Sequence, residues 1–174
     1  MQQPAHVEES QNATLRVHHE SLQLETTEGV QFIDITEQLA AIVADSGVTH
    51  GWVNIQTQHT TTAIIINEHE PLLLEDMRDL LERFAPLDHE YRHNDFNIRT
   101  VNMMPDEQPN GHSHCRALFL RASETVNVLD GKMNLGRWQR IFFVELDGPR
   151  PRNVSVMTLG QTGTLLRVLR ARQS

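Results

Sequence analysis

The stretch TTTAIIINEHEPLLLEDMRDLLERFAP, residues 60–86, changes its hydrophobic period partway along, and that change decides the fold. Its first part, Thr60 to Asn67, is rich in β-branched residues, which suit a pleated and half-buried surface, so it predicts a strand. From Glu70 to Ala85 the apolar residues Leu73, Met77, Leu80, Leu81 and Phe84 recur at helical spacing, and an amphipathic helix follows. Pro71 stands near its start, where a missing N–H costs least, and Pro86 ends it.

Upstream, Val48 to Gln58 is a second β-branched strand, with His59 either between the two or embedded in one continuous strand. Leu39, Ile42 and Val43 predict a first helix over Thr36 to Ser46, with Thr36 or Asp34 as cap and Gly47 as stop. Before it, Leu15, Val17, Leu22 and Leu24 alternate with polar residues, and Val30 to Ile33 is a short apolar run, which reads as opening antiparallel strands. Downstream, strands are predicted at 113–121, 125–129 and 137–147, with Asp130-Gly131 as a turn, and a further strand at Asn153 to Gly160. Residues 164–172 fit either a last strand or a short basic helix. Strands before, between and after two principal helices predict an α+β fold, a single domain of mainly antiparallel sheet or sandwich over residues 13–174, preceded by a loose polar tail at 1–12.

A chain of 174 residues buries a core without disulfides or a structural metal. Fifteen Lys and Arg against 23 Asp and Glu give a net charge of -8, which argues against a nucleic-acid or anionic-membrane partner and makes any anion site a local one. Cys115 is the single cysteine, so an intramolecular disulfide and thiol-rich zinc sites are excluded. The first residues lack the cationic start and apolar core of a secretory signal, and runs such as Ala63 to Ile66 fall far short of the roughly 20 residues a membrane helix needs. A soluble, cytoplasmic protein is the expectation.

Several residues carry chemistry. Asn110-Gly111-His112-Ser113-His114 precedes the apolar Ala117 to Leu120. If the run opens a strand, His112 and His114 point the same way, roughly 6 to 7 Å apart, as half of a metal or acid/base site. Two solvent-facing histidines on an edge strand are the structural alternative. His59 leads into the hydroxyl block Thr60-Thr61-Thr62, which is equally good strand sequence. Asn67 and Glu68 stand at the entrance of the second helix, as cap and dipole complement or as a pocket wall.

His93-Asn94-Asp95 lies in the aperiodic connection 86–111, where Asn94 either orients an imidazole or stabilises a turn. Nothing resembles a nucleophile elbow, so a serine-hydrolase reading is poor. Glu145 interrupts the apolar run Ile141 to Leu146. A carboxylate in a strand buried on both faces must be paired, metal-bound or protonated, and pairing with an arginine is the structural alternative. Strand parity groups Gln139, Ile141, Phe143, Glu145 and Asp147 on one face. Arg150 and Arg152 flank Pro151 on a stiff loop, either as a forked phosphate site or as a solvated turn.

The ordered set Gln58-His59-Thr60-Thr61, Asn67-Glu68, His93-Asn94-Asp95, Asn110 to His114, Asp130-Gly131, Leu135 to Gln139 and Glu145 to Arg150 resembles the YjbQ family, also described as secondary thiamine-phosphate synthase, from about residue 13 to 161. The resemblance implies a small α+β homotrimer with a histidine cluster that holds a divalent metal such as zinc. It also implies a weak thiamine-phosphate synthase activity, joining an aminopyrimidine diphosphate to a thiazole phosphate with release of pyrophosphate. Carried onto this chain, it makes His59, His112 and His114 metal ligands with an open water position. His93 and Glu145 become acid/base groups or supports that orient the metal's ligands, Arg150 a phosphate holder, and Asn67, Glu68 and Gln139 the pocket wall. Arg137 after Gly136 and the irregular loop Asn97 to Pro109 depart from the family's pattern. The expected function is a metal-assisted transferase on phosphorylated small molecules, with magnesium accompanying a diphosphate. The alternatives are a non-catalytic metal- or anion-binding regulatory trimer and a metal-dependent hydrolase.

Overall fold

A computed structural model describes residues 7–9, 14–163 and 166–168. In chain order the elements are β1 (Val7–Glu9), β2 (Thr14–Glu25), β3 (Gln31–Asp34), α1 (Thr36–Ser46), β4 (His50–Thr57), β5 (Thr62–Glu68), α2 (Pro71–Phe84), α3 (Gly111–Ala117), β6 (Ser123–Leu129), β7 (Lys132–Met133), β8 (Gln139–Glu145), β9 (Pro151–Thr162) and β10 (Leu166–Val168). Every pairing is antiparallel: a five-stranded sheet in the order β2-β9-β4-β6-β7, a three-stranded sheet β3-β8-β5, and the short ribbon β1-β10. The α+β, antiparallel expectation therefore holds. No helix among the described residues is long and apolar enough to cross a membrane.

Alternation along the strands builds the layers. Val53 and Ile55 of β4, Val126 and Val128 of β6 and Val154 and Val156 of β9 turn inward from the large sheet to meet Ile64 of β5, Ile141 and Phe143 of β8, and Leu39, Ile42 and Val43 of α1. Phe142, Val144 and Leu146, of opposite parity, face the other way and are covered by Leu74, Met77 and Leu81 of α2 and Ala117 of α3. β8 is thus apolar on both faces because each face has its own cover.

Helix ends follow their sequence signals, with one correction. Asp34 accepts from the backbone N–H and hydroxyl of Thr36 at 3.0 and 2.6 Å, and Gly47 takes the left-handed conformation (φ 68°) that closes α1. At α2 the cap is Glu70, which accepts from the N–H groups of Leu72 and Leu73; Asn67 only accepts from Glu68 N–H. The buried stripe of α2 is also shifted. Leu74 is buried while Leu80 and Phe84 are 66 % and 49 % exposed, because the leucine-rich helix offers two adjacent apolar faces and the small sheet covers only one.

Two further expectations change. The strand predicted at 113–121 is the helix α3 over 111–117, and the apolar Leu118 and Phe119 that suggested a strand are exposed in the turn after it. Within the expected loose tail, Val7–Glu9 pairs with Leu166–Val168, which settles that part of 164–172 as strand; the rest of both segments lies outside the described residues.

Candidate functional site

A cleft of about 810 Å³ opens where the β4–β5 turn, the connection 86–110, the start of α3 and the segment from Asp147 to Arg152 meet. His59, His93, His114, Arg99, Asn110, Asp147 and Arg150 are among its walls.

The connection between α2 and α3 is ordered by its own polar groups. Arg99 donates to Glu107 at 2.5 Å and to the carbonyls of His93, Val101 and Asn102, so one guanidinium gathers the loop. Asn94, at the end of a 3₁₀ turn over Arg92–Asn94, accepts from Gly111 N–H at 2.9 Å and so docks the start of α3. Gly111 has no alternative there: a Cβ would lie 2.5 Å from Cβ of Tyr91.

The helical geometry of α3 separates the two histidines expected to act together. Residues two apart on a helix point roughly 200° apart, whereas on a strand they share a face. His112 turns into the protein, 4 % exposed, with Nε2 3.0 Å from Oγ of Ser113. Ser113 gives its only proton to the Leu146 carbonyl, so its oxygen must accept and His112 Nε2 must carry the hydrogen. Burial, and then the Arg116 guanidinium, push His112 below the ordinary imidazole value of 6.5. Ser113, not His112, ties α3 to Leu146 just past the end of β8, and His112 does not line the cleft.

His114 does line the cleft, with its ring 4.6 Å from that of His93 in an edge-to-face arrangement. Burial and the neighbouring His93 lower its pKa, and Asp147 pulls partly the other way. His93 Nε2 is buried without a hydrogen-bond partner among the described residues, 3.9 Å from the Glu107 carboxylate. His59 accepts from Asn153 N–H through Nε2 at 3.0 Å. A backbone N–H only donates, so the proton of neutral His59 sits on Nδ1. Burial, then Arg152, lower its pKa as well.

The three-imidazole metal site is not assembled. Among the described residues no group of three or more His, Cys, Asp or Glu is arranged to hold a metal ion. His112 faces away, and Nε2 of His59 is already engaged. Zinc at His59, His112 and His114 therefore does not fit this donor set.

Glu145 takes the arginine-paired alternative and is a structural anchor in place of an acid/base group. It is fully buried and accepts from Arg152 Nε and Nη2, each at 2.6 Å, from the Thr26 hydroxyl, and from the Leu146 and Asp147 N–H groups. Every acceptor position is used. Asn67, Glu68 and Gln139 are corrected too. Thr62 pairs with Glu145 at the cleft end of the β5–β8 ladder, while Glu68 pairs with Gln139 six residues further on, roughly 20 Å away. Of the expected binding residues only Arg150 lines the cleft, where its Nη2 donates to Oδ2 of Asp147 at 2.9 Å. The sequence alone assigns no chemical role to Arg99 or Asn110. Asn110 was legible as part of the motif, but the way Arg99 organises its loop leaves no local signal.

The chain matches the family described as UPF0047 protein YjbQ-like over residues 20–161. It is 40 % identical over 147 residues to a UPF0047 protein of Methanothermobacter thermautotrophicus, covering 84 % of this chain and 95 % of that one. YugU, a UPF0047 protein of Bacillus subtilis, is 34 % identical over 142 residues, covering 80 % and 98 %. A crystal structure from Sulfolobus solfataricus, described as a protein of unknown function, superposes with a TM-score of 0.75 at 35 % identity, covering 84 % and 99 %. One from Clostridium acetobutylicum, described as uncharacterized, gives 0.69 at 34 %, covering 80 % and 98 %. None of these descriptions carries an activity and nothing in them indicates thiamine-phosphate synthesis, so the transferase expectation built on that reaction is overturned. Matched along most of its length in sequence and in fold, the chain belongs to the UPF0047 YjbQ-like family.

Proposed function

We propose that the cleft is the active site of an enzyme that binds a small phosphate-bearing molecule at Arg150 and moves a proton on it with His114. The observation that carries this reading is the His93–His114 ring pair, 4.6 Å apart in the same cleft as Arg150. An imidazole lowered below 6.5 by burial is neutral at pH 7 and so available as a proton acceptor. Arg150 is half-exposed and held by a single carboxylate, so its remaining N–H donors suit a phosphate. His59, with its proton on Nδ1, adds a neutral donor to the same walls.

The test is incubation with a panel of phosphate monoesters in D2O, followed by proton and phosphorus NMR. Deuterium incorporation or product formation that is lost in His114→Gln, together with phosphate binding lost in Arg150→Ala, is expected. A panel that shows neither binding nor exchange overturns the reading.

We also propose that the protein works as a homotrimer in the cytoplasm. Val17, Leu159 and Trp52 form a cross-strand row on the outer face of the large sheet, with Val17 58 % and Trp52 37 % exposed, which supports burial between copies. The single cysteine, Cys115, is an exposed thiol, as suits a reducing compartment. Light scattering of the purified chain tests the assembly; a monomeric mass overturns it.

A further inference from the structure

Asn110 stands at the N-cap of α3, yet its side chain makes no cap hydrogen bond. An asparagine there ordinarily turns its carbonyl oxygen toward the first helical N–H groups. Instead the side chain faces Asp147, with Nδ2 donating to Oδ2 at 3.1 Å. This orientation is fixed by chemistry, because the reverse would set two oxygens against each other. Its Oδ1 is consequently a buried acceptor with no donor from the described residues, on a side chain only 9 % exposed that lines the cleft. A buried acceptor left unpaired is costly, so a ligand that supplies the donor gains what the protein lacks.

Asp147 Oδ2 also accepts from Arg150 Nη2 at 2.9 Å. With contacts of 3.1 and 2.9 Å to one shared oxygen, Nδ2 of Asn110 and Nη2 of Arg150 lie within 6.0 Å of each other. Asn110 and Arg150 therefore share one stretch of the cleft wall, close enough for one small phosphate ester to meet both.

We propose that Asn110 is a specificity-determining residue that selects phosphate esters carrying a hydroxyl or amino donor a few bonds from phosphorus. This rests on the reading of Arg150 as the phosphate holder. The molecule selected is a phosphorylated polyol, sugar or amino alcohol, and an alkyl phosphate of equal size is discriminated against.

Phosphorus NMR titration of the full chain with glycerol 1-phosphate and with propyl phosphate compares two esters that differ in their hydroxyls. The wild type is expected to bind glycerol 1-phosphate about five- to tenfold more tightly, the worth of one neutral hydrogen bond to a buried acceptor. In Asn110→Leu the ratio falls to about one; Asn110→Ser, which keeps a helix-capping side chain, guards against a folding defect and shows the same fall. Equal binding of the two esters by the wild type, or a ratio unchanged in both variants, overturns the inference and leaves the phosphate reading standing. Binding of neither ester, or undiminished binding of both by Arg150→Ala, overturns the phosphate reading and this inference with it.

Discussion

Glu145 and Arg152 form a two-point ion pair inside the protein, Nε to Oε2 and Nη2 to Oε1, both at 2.6 Å, with the carboxylate fully buried and the guanidinium residue 4 % exposed. The pair ties the end of β8 to the start of β9 beneath the cleft. Arg152 is thereby spent, and Arg150, outside the strand, is the more exposed of the two guanidiniums on the cleft wall.

Replacing Glu145 by Gln leaves Arg152 buried without its counter-charge. Unfolding in urea should show a loss of about 3–5 kcal/mol. The double variant Glu145→Leu, Arg152→Met should recover most of it, because two apolar side chains remove both desolvation costs together. An unchanged midpoint in Glu145→Gln would exclude the anchoring role.

Asp34 gathers the entrance of α1. Burial works to raise its carboxyl, but hydrogen bonds from Arg140, from the hydroxyl and N–H of Thr36, and from His69 outweigh it and hold the group well below its ordinary 3.8. A depressed carboxylate stabilises the fold above its unfolded pKa, and that contribution is lost as pH falls through about 4 and below. Asp34→Asn should cost about 1–3 kcal/mol at pH 7 and make the acid limb of the stability curve shallower, which melting temperatures from pH 2 to 7 measure.

Histidine protonation sets a second pH dependence. His59, His112 and His114 all lie below 6.5, so between their folded and unfolded values the unfolded chain binds more protons. Their contribution is complete above about pH 6.5 and declines as pH falls through the folded values. Thermal stability should therefore drop between pH 7 and 5. The drop should be smaller in His112→Gln; an identical slope in that variant would assign it to other groups.

At Gly111 an added methyl group meets Tyr91 Cβ at 2.5 Å and Asn94 Oδ1 at 3.1 Å. Gly111→Ala should cost about 1–3 kcal/mol by overpacking. It should also shift the His114 ring resonances, since α3 must move. Unaltered histidine spectra would show that the helix start is more tolerant than this contact implies.

Part of the site was legible before the fold. Residue type and setting point to His59, His93, His114 and Arg150, and all four line the cleft. Asn67, Glu68 and Gln139 were not placed correctly, because ladder register, and not proximity to a motif, decides which end of β5 and β8 reaches the cleft. His112 failed for a different reason: His-x-His has one meaning at a period of two and the opposite at 3.6, and the apolar Leu118-Phe119-Leu120 that argued for a strand closes a helix.

What this sequence determines by itself is periodic: the β-branched runs, the amphipathic helices, Gly47 as a stop and a carboxylate at 145 that had to be neutralised. These follow from local backbone preference and from the cost of burying charge, which act within a few residues. What only the tertiary structure decided is which partners meet. Arg152 for Glu145, His93 against His114, and Asn110 turned to Asp147 and away from its own helix are contacts between segments 7 to 37 residues apart. Such pairings depend on register and helix rotation, and those are set by packing of the whole core.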